Sequence, residues 1–284
     1  MFDGRKDQAE GLRLLLGAEG PRRFSFFGAR PGCGVTSCVI GLGTALAQAG
    51  RDVLLIDEHG GASNIAGKLG LADRLEGRGA APGHRIAAVT RVSLVPGLRL
   101  LPVAGGVAGE KGCGPGLSGE LRDIVLIVAL SPLKGEKSAY CDVAQEVMVV
   151  MQADATSITR AYSVMKRLRE QHGINRFRVL VSHCDDGVAA RRAVRNLTQA
   201  ARGFLDASLQ YAGAVPLDPA FQAAERRCES LFASRPSAAA ARIYRQLALD
   251  MLGRTPGQSH GCFDASAQSP ISNHRSRGLA AAGG

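Results

Sequence analysis

The sequence predicts an α/β fold: a mostly parallel, twisted sheet of about seven or eight strands with helices on both faces. Three observations lead there. Apolar, β-branched runs of strand length recur at Phe24 to Gly28, Val53 to Asp57, Leu98 to Val103, Ile124 to Val128, Val147 to Met151, Phe177 to Ser182 and Tyr211 to Val215. These runs are continuously apolar rather than alternating, the pattern of strands covered on both sides. Helical patterns separate most of them, the clearest at Val35 to Ala49, Thr156 to Gln171, Gly187 to Phe204 and Ser237 to Leu252. In such a sheet ligands sit beyond the carboxyl ends of the strands.

Taken in order, the chain opens on "KDQAEGLRLLL", where Asp7 can cap a helix with Glu10 three residues on and Leu12, Leu15 and Leu16 share a face. Such an extension can dock on its own domain or insert its apolar face in a partner's groove. Residues 1–20 are therefore read as a separate helical segment, 21–252 as the α/β domain and 253–284 as a disordered tail rich in Gly, Ser, Pro, Gln and His. The stretches 76–84, "EGRGAAPGH", and Gly105 to Gly119 read as long exposed loops. The chain shows no internal repeat.

At 284 residues, 45% hydrophobic and 21% charged, the chain can bury one sizeable core. The first ten residues lack the apolar run of a signal peptide and no run is long enough to span a bilayer, so a cytoplasmic protein is expected. Seven cysteines fall at scattered positions without CxxC or zinc spacing, which fits reduced thiols and assigns no metal. His183, Cys184, Asp185 and Asp186 are adjacent, but four consecutive side chains do not converge on one ion, so they read as solvated loop. The net charge of +10 reads first as a basic solvated surface. Its arginines, in "RAYSVMKRLRE", "AARRAVRN" and "AERRCE", lack the interleaved aromatics that would stack on bases, so nucleic acid is not expected as a partner.

The informative stretch is "ARPGCGVTS", residues 29–37, between the first strand and the first long helix. A phosphate loop works because glycines let backbone N–H groups approach the phosphate, the following helix presents its positive end, and a lysine adds a point charge. Against the pattern GxxxxGK[ST], Ala29 replaces the first glycine, Gly34 keeps the second, Val35 stands where the lysine belongs, and Thr36 keeps the magnesium-directed hydroxyl. Pro31 removes one further backbone donor.

This loop together with "VLLIDEHGGASNIAGKLGL" resembles the MinD/ParA class of deviant P-loop ATPases, whose loop reads KGGxGKT. The resemblance implies a P-loop NTPase fold of MinD type. It places Arg30 on the early signature lysine, which in that class reaches the nucleotide of the partner subunit in an ATP dimer, and matches Gly32, Gly34 and Thr36 directly. The nucleotide-binding remnant it implies is Arg30, Gly32, Gly34, Thr36, Ser37 and Asp57, with no catalytic residue assigned. In the first switch, roughly DxDxGxxN, Asp57, Gly61 and Asn64 match while His59 replaces the water-orienting second aspartate, reading as a remnant rather than a base. In the second, "DIVLIVALS" puts Val128 where a carboxylate is expected, and Ser182 stands at the adenine-reading Asn. Each lost hydrogen bond to a charged group removes about ten- to 150-fold in affinity. ATP and Mg2+ are therefore expected to bind weakly or not at all, and efficient hydrolysis is not expected.

The N-terminal segment narrows the resemblance. DQAxxLR, present as Asp7, Gln8, Ala9, Leu12 and Arg13, is characteristic of the flagellar-number regulators of the MinD class, the FlhG or FleN type. There it binds and stimulates the signal-recognition-particle-type GTPase FlhF. "ADATSITRAYSVMKRL", "RFRVLVSHCDD" and "YAGAVPLDPAFQAAER" extend the resemblance over about residues 5 to 252. By resemblance the partner is an FlhF-like GTPase, with a flagellar transcription activator or basal-body protein as further candidates. Homodimerisation and polar or transient membrane placement stay open.

MinD relatives carry a membrane-binding amphipathic helix near the C-terminus, for which the candidate is "AAAARIYRQLALDMLGR" with Ile243, Leu247 and Met251 on one stripe. A core helix is the favoured reading, so membrane attachment is expected to be weak or none. Two further readings remain beside the regulator: an active MinD/ParA-type ATPase that switches between monomer and ATP dimer, and a ParA-like, DNA-associated cargo positioner.

Overall fold

The computed structural model describes residues 21–59, 64–69, 71, 90–91, 96–102, 123–129, 131–134, 138, 144–226 and 238–253. The N-terminal segment with Asp7, Gln8, Ala9, Leu12 and Arg13, the switch residue Gly61, the 105–119 loop and the tail beyond Gly253 lie outside them.

Eight strands form one sheet: β1 (Arg22–Gly28), β2 (Val53–Asp57), β3 (Thr90–Arg91), β4 (Leu98–Pro102), β5 (Ile124–Val128), β6 (Glu146–Met151), β7 (Arg176–Ser182) and β8 (Ser208–Val215). Their spatial order is β3-β4-β2-β5-β1-β6-β7-β8. Every pairing is parallel except that of β3 with β4. Six helices are described: α1 (Val35–Gln48), α2 (Ile65–Lys68), α3 (Ala155–His172), α4 (Gly187–Leu205), α5 (Pro219–Arg226) and α6 (Ala239–Leu252).

The apolar runs read from the sequence become β1, β2 and β4 through β8. Two differences have simple causes. β3 is two residues long, too short to make a pattern. β8 begins at Ser208 rather than Tyr211 because it lies at the sheet edge, where Ser208 is exposed and Leu209 buried. That alternation interrupts the continuous apolar signal of a central strand.

The sheet divides two apolar layers. On one side α1, α5 and α6 pack over Phe24, Phe26, Leu55, Leu126 and Met148; on the other α3 and α4 pack over Phe27, Leu54, Ile127, Val149 and Val179. Successive residues of β2 thus enter opposite cores, Val53 and Leu55 one and Leu54 and Ile56 the other, the geometric reason its run is continuously apolar. Asp154 caps α3 by accepting from the Ser157 amide, and Asp186 caps α4 by accepting from Val188.

The C-terminal helix α6 belongs to the core. Ala240, Tyr244, Leu247 and Met251 are buried, and α6 lies so close to α1 that a Cβ at Gly41 would stand 2.4 Å from the Tyr244 ring. Its far end is held by ion pairs beneath the sheet, where Arg178 reaches Glu146 at 3.2 Å and Asp250 at 2.7 Å, and Arg22 reaches Glu146 at 3.0 Å and the Met251 carbonyl. The stripe considered for membrane contact is therefore packed inside the domain. Among the described residues, no helix is long and apolar enough to cross a membrane.

Candidate functional site

The strand order reverses at β1, whose neighbours β5 and β6 lead to opposite halves of the sheet. A crevice opens beyond the strand carboxyl ends at such a point. Here the loop from Ala29 to Gly34 leaves β1 and enters α1. Its shape needs its glycines: Gly32 and Gly34 hold φ of +76° and +81°, in the left-handed region. Gly34 occupies the N-cap of α1 and supplies no side-chain cap. The positive end of a 14-residue helix, with Thr36 and Ser37 in its first turn, thus faces the crevice.

That crevice has a volume of about 420 Å³. At one end stand Gly32, Gly34, Thr36 and Ser37; at the other, Pro216, Leu217, Phe221 and Tyr244 form an apolar wall between β8 and the helices α5 and α6, and Lys68 also lines the crevice. Asp218 shapes that wall, its Oδ1 accepting from the Ala220 amide at 2.9 Å and its Oδ2 from the Ala240 amide at 3.3 Å. One end suits an anion and the other a planar apolar group, the two chemistries that an adenine nucleotide joins.

The sequence-predicted residues are only partly brought together. Gly32, Gly34, Thr36 and Ser37 line the cleft. Arg30 does not. Its guanidinium turns to its own chain's β6–α3 connection, where it donates to Ser157 Oγ at 2.9 Å, to Gln152 Oε1 and to Asp154 Oδ2 at 3.4 Å. Burial acts to raise the Asp154 carboxyl, but the Ser157 amide and hydroxyl and the Arg30 guanidinium outweigh it, holding the group below its ordinary value.

Asp57 ends β2 and is buried. Its Oδ1 accepts from the His59 amide at 3.0 Å and its Oδ2 from the Ile65 amide at 2.6 Å, so both oxygens already fasten the switch loop. Asn64, matched in the resemblance, caps α2 by accepting from the Gly67 amide at 2.7 Å. His59 Nδ1 lies 3.3 Å from Asp57 Oδ1. Val128 sits in register with both Asp57 and Phe26, fully buried, so the expected carboxylate position at the sheet's carboxyl edge is apolar. The Ser182 hydroxyl contributes to the cleft wall but donates inward, toward the Cys33 and Met151 carbonyls that hold the loop to β6.

Three contributors escape the sequence reading: Lys68, Gln152 and His183. His183 lies in an exposed loop, as the sequence reading has it, and the structure adds its neighbour. With φ of +53° the His183 ring is turned over the phosphate loop, and a Cβ at Gly34 would meet its Nε2 at 3.0 Å. Gln152 explains the ring's setting. Arg30 can only donate, so Gln152 turns its Oε1 to Arg30 and its Nε2 to His183 Nδ1, 2.6 Å away. With Gln152 so oriented, His183 Nδ1 is the acceptor of this hydrogen bond, and Nε2 lies over Gly34. A strand end bearing His-Cys-Asp-Asp carries no period that would reveal this, because a left-handed turn decides it. Of the neighbouring residues Asp186 caps α4, and no group of His, Cys, Asp and Glu able to hold a metal is found among the described residues.

Comparison with known proteins places this geometry. No protein-family model matches the chain. The antiactivator FleN of Pseudomonas aeruginosa is 31% identical over 239 residues, covering 78% of this chain and 82% of that protein. This chain belongs to the FleN family. The family's scaffold is of MinD/ParA type: the MinD cell division protein of Aquifex aeolicus superposes with a TM-score of 0.62 at 22% identity, covering 82% of this chain and 98% of that one. MinD of Pyrococcus horikoshii, solved with Mg-ADP, gives 0.59 at 17% identity over 81% and 96% of the two chains. A variant of Cyanothece McdA, solved with ATP, gives 0.58 at 15% over 84% and 98%. At these identities the likeness establishes the P-loop NTPase fold, and the FleN match establishes the family.

Proposed function

We propose that this chain regulates flagellar number or placement by binding and stimulating an FlhF-like, signal-recognition-particle-type GTPase through Asp7, Gln8, Ala9, Leu12 and Arg13. The carrying observation is the 31% identity to the antiactivator FleN across 82% of that protein's length. A transcription activator of flagellar genes is a second partner that an antiactivator's name suggests, and a basal-body protein a third. The test is GTP turnover by the cognate GTPase with the full chain and with a form lacking residues 1–20. Stimulation by the first and not the second supports the reading; equal stimulation refutes it.

Within this reading the cleft holds an adenine nucleotide weakly and hydrolyses it poorly. Support comes from the residues present. The glycine loop, the α1 N-terminus and the apolar wall fit a nucleotide. A magnesium ion finds a thinner donor set, a Thr36 hydroxyl and an Asp57 carboxylate whose two oxygens already accept amide protons. Were the ion bound, it would neutralise phosphate charge; Gly34 and the first turn of α1 would hold the phosphates, and Asp57 would keep the switch loop in place. With Val35, Val128 and His59 at their positions, no side chain of the matched motifs orients an attacking water. The second reading, an ATP-switched dimer, is favoured by Thr36 and Asp57 being retained. It predicts ATP-dependent self-association in analytical ultracentrifugation.

A further inference from the structure

We propose that Lys68 supplies the phosphate-directed cation that Val35 no longer provides. The assignment rests on the reading that the cleft takes a nucleotide, and it names the group that makes this binding sensitive to phosphate.

The phosphate loop has an apolar residue at the position from which a lysine ordinarily reaches the phosphates, so its amides and helix end are left with partial charges alone. Arg30, the nearest cation in sequence, turns to Gln152, Asp154 and Ser157 and does not line the cleft. Among the described residues that do line it, Lys68 is the one Lys or Arg side chain.

Its position is set by the switch loop. The Asp57 carboxylate accepts the Ile65 amide and the Asn64 side chain caps the turn, so α2 starts from the carboxyl end of β2. Ile65, Ala66 and Leu69 are buried in the same apolar cluster as Val39 and Leu42 of α1. Lys68 falls at the border of that buried stripe, half-buried, and lines the same cleft as Thr36 and Ser37. A long aliphatic stem suits a half-buried place of this kind, packing along apolar surface while the side chain lines the cleft. A cation on the switch rather than on the loop also joins nucleotide occupancy to the switch, because a phosphate would pull on α2 and through it on the backbone that Asp57 holds.

The test is calorimetric titration of the full chain with ATP, ADP and adenosine, in magnesium, for the native protein and for Lys68→Met, Lys68→Arg and the double variant Val35→Lys/Lys68→Met. Losing a charge-assisted hydrogen bond weakens binding by about ten- to 150-fold. Lys68→Met is expected to weaken ATP and ADP by that factor and leave adenosine unchanged; Lys68→Arg is expected to retain most affinity, and Val35→Lys to restore it in the double variant. Adenosine binding doubles as the check that the variants fold. Equal ATP affinity for native and Lys68→Met overturns the assignment while the nucleotide cleft stands. Native protein that binds neither ATP nor adenosine overturns the cleft reading and the assignment with it.

Discussion

Replacing Arg178 by Met should loosen α6 from the sheet, and the size of the effect can be worked from its contacts. The guanidinium is buried, with side-chain exposure of 7%, between Glu146 at 3.2 Å and Asp250 at 2.7 Å. Removing one member of a buried ion pair costs about 3–5 kcal/mol, because the remaining charge is stranded. Two features place this case at the low end. Glu146 keeps Arg22 at 3.0 Å, and Asp250 is 34% exposed, so water can take up part of its charge. A loss of about 3 kcal/mol follows, which at a urea slope of about 2–3 kcal/mol/M moves the unfolding midpoint by roughly 1 M. Urea titration followed by circular dichroism reads it. A double-mutant cycle with Asp250→Asn should give a coupling of about 1 kcal/mol or more between the two residues. A loss under about 1 kcal/mol, or additivity within about 0.3 kcal/mol, would refute the view that this pair fastens α6.

Further outcomes follow from the same geometry. Gly41→Ala, which on an exposed helix gains about 1 kcal/mol, should here cost about 1–3 kcal/mol in chemical denaturation because the new Cβ meets the Tyr244 ring at 2.4 Å. Combining it with Tyr244→Leu should recover part of that loss. Gly34→Ala forces a side chain into φ of +81° against His183, so adenine-nucleotide affinity measured by calorimetry should drop at least tenfold with a stability loss of about 1–2 kcal/mol. Asp154→Ala removes the α3 cap at about 1 kcal/mol at pH 7. Since the native Asp154 carboxyl lies below its ordinary value, the stability it confers is full above about pH 4 and fades as pH falls through the native value. Thermal melts of native and Asp154→Ala protein should therefore converge in acid, and a gap that persists there would contradict the assignment.

The central strands and the long helices were legible because burial on both faces imposes an unbroken apolar run on β2, β5 and β6 and a mainly apolar one on β1 and β7, interrupted by Ser25 and Arg178, and one-sided packing imposes the helical period on α3 and α4. The phosphate loop was legible too, since Gly32 and Gly34 take backbone angles that other residues resist. The edge strand β3 and the true start of β8 were not, because edge pairing places weaker demands on side chains.

The sequence by itself determined the fold class, the family and the departures from the motif at Val35, His59 and Val128, since these depend on residue type at a fixed place in a motif. Only the tertiary structure decided where the remaining groups act. Arg30 turns toward Gln152 and away from the cleft, His183 swings over Gly34, and Lys68 arrives from a separate segment. Those outcomes rest on which strand ends lie side by side and on single left-handed turns, and neither leaves a period in the chain.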